Sequence, residues 1–91
     1  MSYTLRFTTQ ANKQIKKLDR KQLSILKSWL KDNLEGCENP RIIKDSKKIE
    51  SVENGWRWRI GSYRVLGVIH DDSITIVVFR VGHRRDVYRG L

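Results

Sequence analysis

Apolar and polar residues alternate without a break through Trp56, Arg57, Trp58, Arg59 and Ile60, the period of two that marks a half-buried strand. Only Gly61 and Ser62 separate this run from a second apolar-rich one, Tyr63 to Ile69. A two-residue loop with glycine first suits a type II′ turn and predicts a β-hairpin. The turn sets the register, so that Ile60 faces Tyr63, Arg59 faces Arg64 and Trp58 faces Val65. Trp56, Trp58, Ile60, Tyr63 and Val65 then share one face, and Arg57, Arg59 and Arg64 share the other.

The remaining pattern predicts the elements around this hairpin. Tyr3, Leu5 and Phe7 alternate with Thr4, Arg6 and Thr8 as a short strand, and Thr8 or Thr9 can cap the helix that follows. In that helix Ala11, Ile15 and Leu18 recur at helical spacing. Asp19 to Gln22 has the form of a capping box and opens a second helix. Its seam is Leu23, Leu26, Leu30 and Leu34, widened by Trp29, and Gly36 stops it. Helices joined this tightly form a helix hairpin. From Glu35 to Asn54 the periodicity lapses: Pro40 forbids a continuing helix, and Lys44, Lys47 and Lys48 read as a basic loop. Asp71 and Asp72 mark a turn, Ile74 to Val81 is a nearly unbroken apolar strand ended by Gly82, and His83 to Arg89 closes the chain. The apolar density of the last two strands places them centrally or buries both their faces. The expected fold is α+β in the order βααβββ, a helix hairpin on one face of a mainly antiparallel four-stranded sheet, with residues 1–91 as one domain. The Trp and Ile side chains face the helices, the other face is basic, and the C-terminal residues fold over its edge.

Composition adds charge to this picture. Of 91 residues, 19 are Lys or Arg and 10 Asp or Glu, a formal net charge of +9 that points to a polyanion or an acidic protein as partner. Cys37 is the single cysteine, which excludes an internal disulfide and fits a reducing compartment. The first residues follow a strand pattern and not that of a signal peptide, and no apolar run reaches membrane-spanning length, so a cytoplasmic protein with no membrane partner is expected.

Two guanidinium groups directly opposite each other, Arg59 and Arg64, repel unless something anionic offsets them. Arginine's fork matches phosphate oxygens in pairs, so a nucleic-acid backbone is the natural ligand; a solvated strand face is the alternative. The sequence carries no His/Cys cluster at metal-ligand spacing, no glycine-rich phosphate loop and no Ser-His-Asp or Cys-His arrangement. Neither a metal nor a cofactor is therefore expected. What remains is chemistry on a charged polymer, with Arg57, Arg59, Arg64, Arg84 and Arg85 supplying charge and Tyr88 or His83 moving protons.

The string Gly55 to Val65, GWRWRIGSYRV, followed by Val78 to Arg89, VFRVGHRRDVYR, resembles the RelE branch of the RelE/ParE toxin superfamily across essentially the whole chain. The resemblance implies a RelE-like fold and a toxin of a type II toxin–antitoxin system. It further implies a ribosome-dependent endoribonuclease, an mRNA interferase that cuts the A-site codon through attack by the RNA's own 2′-hydroxyl. Its implied partners are a RelB-like antitoxin, in a hetero-oligomer, and the ribosome with its mRNA. By position, Arg57 and Arg59 match basic residues that grip the mRNA backbone, one of them linked in lysine-bearing relatives to activating the hydroxyl. Arg64 matches the arginine that stabilises the transition state, Arg84 one assigned to protonating the leaving 5′-oxygen, and Tyr88 a tyrosine that stacks on the nucleotide or acts as base. Arginine stays protonated at physiological pH, so with Arg57 and Arg59 in place of lysine the role of base shifts to Tyr88 or His83. Beside these, the sequence itself offers Lys47 and Lys48, in a loop that could track a phosphate backbone or merely be solvated, and His83 and Arg85 as further candidate RNA-binding residues. Two other readings stand beside this one: a ParE-like inhibitor of DNA gyrase that cuts no RNA, and a non-catalytic basic RNA-binding module that would expose Trp56 and Trp58 as stacking platforms.

Overall fold

A computed structural model of the chain describes residues 2–91; Met1, the start of the expected N-terminal strand pattern, lies outside them. Strand β1 (Thr4–Phe7) is followed by helices α1 (Thr9–Lys16) and α2 (Arg20–Trp29), and then by strands β2 (Ser46–Lys48), β3 (Gly55–Ile60), β4 (Tyr63–His70) and β5 (Thr75–His83). The sheet order is β1-β5-β4-β3-β2, with β1 parallel to β5 and every other pairing antiparallel.

Each helix begins where a side chain can take a free backbone N–H. Thr8 Oγ1 accepts from the Ala11 amide at 3.1 Å, and Asp19 Oδ1 accepts from the Gln22 amide at 2.8 Å. Helix α2 does not run straight to Gly36. Its last turn, Leu30–Leu34, widens into a π-helical turn closed by the Glu35 amide on the Leu30 carbonyl at 2.9 Å. Gly36 then reverses the chain at φ +75°, a left-handed conformation that costs glycine nothing. Ala11, Ile15, Leu26, Leu30 and Leu34 meet Trp58, Ile60, Val65, Ile69, Ile76, Val78 and Val81 in the main core.

The hairpin has the register its turn dictates: Ile60 opposite Tyr63, Arg59 opposite Arg64, Trp58 opposite Val65. Gly61 takes φ +60° and Ser62 does not, as a type II′ turn requires. Trp58 is fully buried, and its Nε1–H donates to the Pro40 carbonyl at 2.9 Å, which ties the irregular segment to the core. Gly67 lets that indole lie close, since a Cβ there would meet the Trp58 ring at 3.0 Å.

The structure departs from the four-stranded expectation in two ways. Ser46–Lys48, read from sequence as loop, pairs with Trp56–Trp58 as a fifth, edge strand. Three residues of Ser and Lys carry no hydrophobic alternation; β3's free edge recruits them through backbone hydrogen bonds alone. The outer face of the sheet, expected to be basic, also holds a small second core of Ile49, Leu66 and Val87, with Val52 and Phe79 against it. A register shift supplies part of it: Leu66 opposes Arg80 while Gly67 opposes Val78, which leaves Phe79 as an extra residue in β5. Among the described residues no helix is long and apolar enough to cross a membrane.

Candidate functional site

Beside this second core the outer face opens into a basic cleft of about 540 Å³. Three segments build it. Arg57 on β3 and Arg64 on β4 form the floor, since both project from the face opposite Trp58 and Val65. Lys47, Lys48 and Ile49 form one wall, and Arg84, Arg85 and Tyr88 from the C-terminal tail form the other. The tail folds over the sheet because Val87, 2% exposed, is buried against Ile49 and Leu66, and the Arg84 amide donates to the Ser62 carbonyl at 2.8 Å.

Electrostatic strain is concentrated at Arg64. Burial pushes its guanidinium below the ordinary arginine value; Tyr88 acts in the opposite direction, and the charges of Arg57, Arg59 and Arg84 add to the lowering. All four of these side chains therefore act on Arg64. Arg64 is also pre-aimed: its Nη1 donates to the carbonyls of Gly61 and Tyr63 at 3.0 and 3.1 Å, anchoring it to the hairpin turn. Among the described residues the only ion pairs are Arg41–Asp71, Arg59–Asp45 and Arg89–Asp86, so Arg57, Arg64, Arg84 and Arg85 keep their charge for a ligand. Such a cleft suits a chain of phosphates, with Tyr88, 39% exposed, offering a ring face and a hydroxyl.

Seven of the nine residues singled out from sequence come together here: Arg57, Arg64, Arg84, Arg85, Tyr88, Lys47 and Lys48. Two do not. Arg59 is on the correct face but outside the cleft, its Nη2 bound to Asp45 at 3.1 Å. The partner was not legible because Asp45 sits 14 residues away, brought close by the edge strand that the sequence does not announce. His83 pairs in register with Tyr63 while Gly82 pairs with Arg64, so the strand's alternation puts His83 across the sheet from the arginines. Its ring stands edge-on to Tyr63 with centroids 5.8 Å apart. The two residues weighed as proton carriers are thus separated by geometry, and Tyr88 is the one in the cleft. The structure also buries Trp58 and half-buries Trp56, with the Arg41 guanidinium 5.9 Å over the Trp56 ring, which removes the exposed-tryptophan platform. Burial raises the Cys37 thiol above its ordinary value, the wrong direction for a nucleophile. No group of His, Cys, Asp and Glu among the described residues could hold a metal ion. Ile49 and Val87 were missed as site-builders, because nothing local says that a lone Ile after two lysines and a lone Val in a charged tail meet across the sheet.

Comparison with known proteins identifies the family. The family model described as ParE toxin of type II toxin–antitoxin system, parDE, matches residues 5–88. Toxin RelG of Mycobacterium tuberculosis is 35% identical over 89 residues, covering 98% of this chain and 99% of that protein. Toxin RelE3 of Methanocaldococcus jannaschii is 36% identical over 59 residues, 60% of this chain and 65% of its own. Among solved structures, the toxin–antitoxin complex RelBE2 from Mycobacterium tuberculosis contains a chain with a TM-score of 0.75 at 29% identity, covering 92% of this chain and 100% of that one. The intact E. coli RelBE complex gives 0.72 at 27%, covering 90% and 96%. A match over nearly the whole length in sequence and in fold makes this chain a member of the RelE/ParE superfamily and a RelE-family toxin of a type II toxin–antitoxin system.

Proposed function

We propose that the protein is a ribosome-dependent endoribonuclease that cuts mRNA in the ribosomal A site. The observation that supports this reading is the cleft itself: Arg57, Arg64, Arg84 and Tyr88 from three segments, free of carboxylates, on one face. In the proposed reaction the 2′-hydroxyl next to the scissile phosphate attacks phosphorus. The O2′–P bond forms, the P–O5′ bond breaks, and a 2′,3′-cyclic phosphate and a 5′-hydroxyl result. Charge builds on the non-bridging oxygens, where the pre-aimed Arg64, helped by Arg57, stabilises it. Arg84 serves the departing 5′-oxygen, and Tyr88 orients the nucleotide or takes the 2′ proton. Lys47, Lys48 and Arg85 hold the flanking backbone. Arg59, on the same face, is a reserve charge that must exchange Asp45 for a phosphate.

The site as it stands lacks a strong base, so positioning by the ribosome carries much of the rate. The two solved relatives named above are toxin–antitoxin complexes, and a RelB-like antitoxin with acidic residues over the cleft is the partner proposed here, in a cytoplasmic hetero-oligomer. The test is primer-extension mapping of transcripts after brief induction of the wild type, Arg64→Ala and Arg84→Ala. Cuts inside translated frames in the wild type, lost in both variants, are expected, with naked RNA left intact. Growth arrest of full strength in both variants would overturn the nuclease reading. It would favour the gyrase-directed alternative, which the ParE description of the family model keeps in play.

A further inference from the structure

Arg80 is the one lysine or arginine of β5, set in the apolar run Ile76 to Val81, and it does not line the cleft. Its side chain runs along the outer face to the C-terminal tail. There Nη1 donates to the main-chain carbonyl of Val87 at 3.0 Å and to that of Arg89. The tail is a series of turns: the Asp86 and Val87 amides bond the His83 carbonyl, Arg89 bonds Asp86, and Leu91 bonds Tyr88. None of these turns uses the carbonyls of Val87 and Arg89, so the guanidinium takes acceptors the tail cannot satisfy itself. Those two residues flank Tyr88. One nitrogen thus grips the backbone immediately before and immediately after the tyrosine, while the buried Val87 side chain fixes the same segment from below, over Gly82.

We propose that Arg80 is a positioning residue, which sets Tyr88 in the cleft by clasping the backbone on either side of it. Without the clasp the tail stays on the sheet through Val87 and the Arg84 amide's bond to Ser62, but the segment beyond Val87 can rock, and the phenol, at the exposed end, moves most. The consequence for rate rests on the nuclease reading above. A displacement of about 1 Å at a reacting group costs on the order of 100-fold, and uniform binding along the cleft is barely touched.

The test uses the full-length free toxin and its Arg80→Met and Arg80→Lys variants. Methionine keeps the apolar stem and removes the donor; lysine restores a charged donor on a similar stem. In hydrogen exchange, amides of residues 84–91 in Arg80→Met should exchange at least about 10-fold faster than in the wild type, with β4 amides unchanged and Arg80→Lys in between. On programmed ribosomes, Arg80→Met should lose about 10- to 100-fold in cleavage rate at saturation, its half-saturating concentration should stay within about 3-fold, and Arg80→Lys should recover most of the rate. Unchanged tail exchange in Arg80→Met, or lysine no better than methionine in both assays, would overturn the clasp. Should the wild type fail to cut, the nuclease reading falls while the exchange measurement still decides whether Arg80 holds the tail.

Discussion

The cleft makes a quantitative prediction about salt. Six cationic residues line it: Lys47, Lys48, Arg57, Arg64, Arg84 and Arg85. A single-stranded RNA that fills it releases up to one counterion for each phosphate neutralised, and the logarithm of affinity falls with that of salt by about 0.7 per contact. Full occupancy gives a slope of about −4, so affinity drops about 300-fold between roughly 50 and 200 mM salt. Replacing Lys47 and Lys48 by Ala removes up to two contacts from one wall without touching the main core, because both are exposed on the edge strand. The slope then falls to about −3 and the loss over the same range to about 50-fold. Lys13 and Lys16, exposed on α1 and outside the cleft, are the control pair; their replacement by Ala leaves the slope unchanged. Fluorescence anisotropy with a short labelled RNA, titrated at several salt concentrations, measures all three. Equal slopes for wild type and the Lys47/Lys48 variant, or a shallower slope for the helix pair, would show that +9 acts as a diffuse field and that the cleft is not where the strand lies.

Three further outcomes follow from individual contacts. If Tyr88 takes a proton, Tyr88→Phe should slow single-turnover cleavage by about 10²- to 10⁴-fold; if it only stacks, Phe should cut normally and Tyr88→Ala alone should lose about 1–3 kcal/mol. Trp58→Phe strands the buried Pro40 carbonyl and leaves a void, costing about 2–4 kcal/mol and lowering the melting temperature by roughly 10–20 °C in calorimetry; a shift below about 5 °C would mean that the carbonyl finds another donor. Asp71 accepts from Arg41 and from the Tyr3 hydroxyl, and these bonds hold its carboxyl below the ordinary value of 3.8. A depressed folded value means that its stabilisation is present above the unfolded value and is lost as pH falls through the folded one. Denaturation of wild type and Asp71→Asn should therefore differ at neutral pH, begin to converge as pH falls below about 4 and meet below the folded value; a gap that persists undiminished in acid would refute the linkage.

Local pattern determined much of this protein. Alternation through Trp56–Ile60 and a Gly-Ser loop fix which arginines face outward, because side-chain period and turn geometry are properties of neighbouring residues. Thr8 and Asp19 announced both helix starts for the same reason. Unbroken apolar runs announced that β4 and β5 are central, as the sheet order bears out. What only the tertiary structure decided depends on contacts between distant residues. The edge strand Ser46–Lys48 exists because β3 offers it hydrogen bonds, and it delivers Asp45 to Arg59. The extra residue at Phe79 and the union of Ile49, Leu66 and Val87 give the basic face an apolar seat on which the tail can rest. Arg80, in sequence merely an interruption of an apolar strand, finds its carbonyls only after the chain has doubled back. Charge and periodicity thus fix what the face is made of; where each group stands is fixed by burial and hydrogen bonding between segments far apart in the chain, and no local window contains those terms.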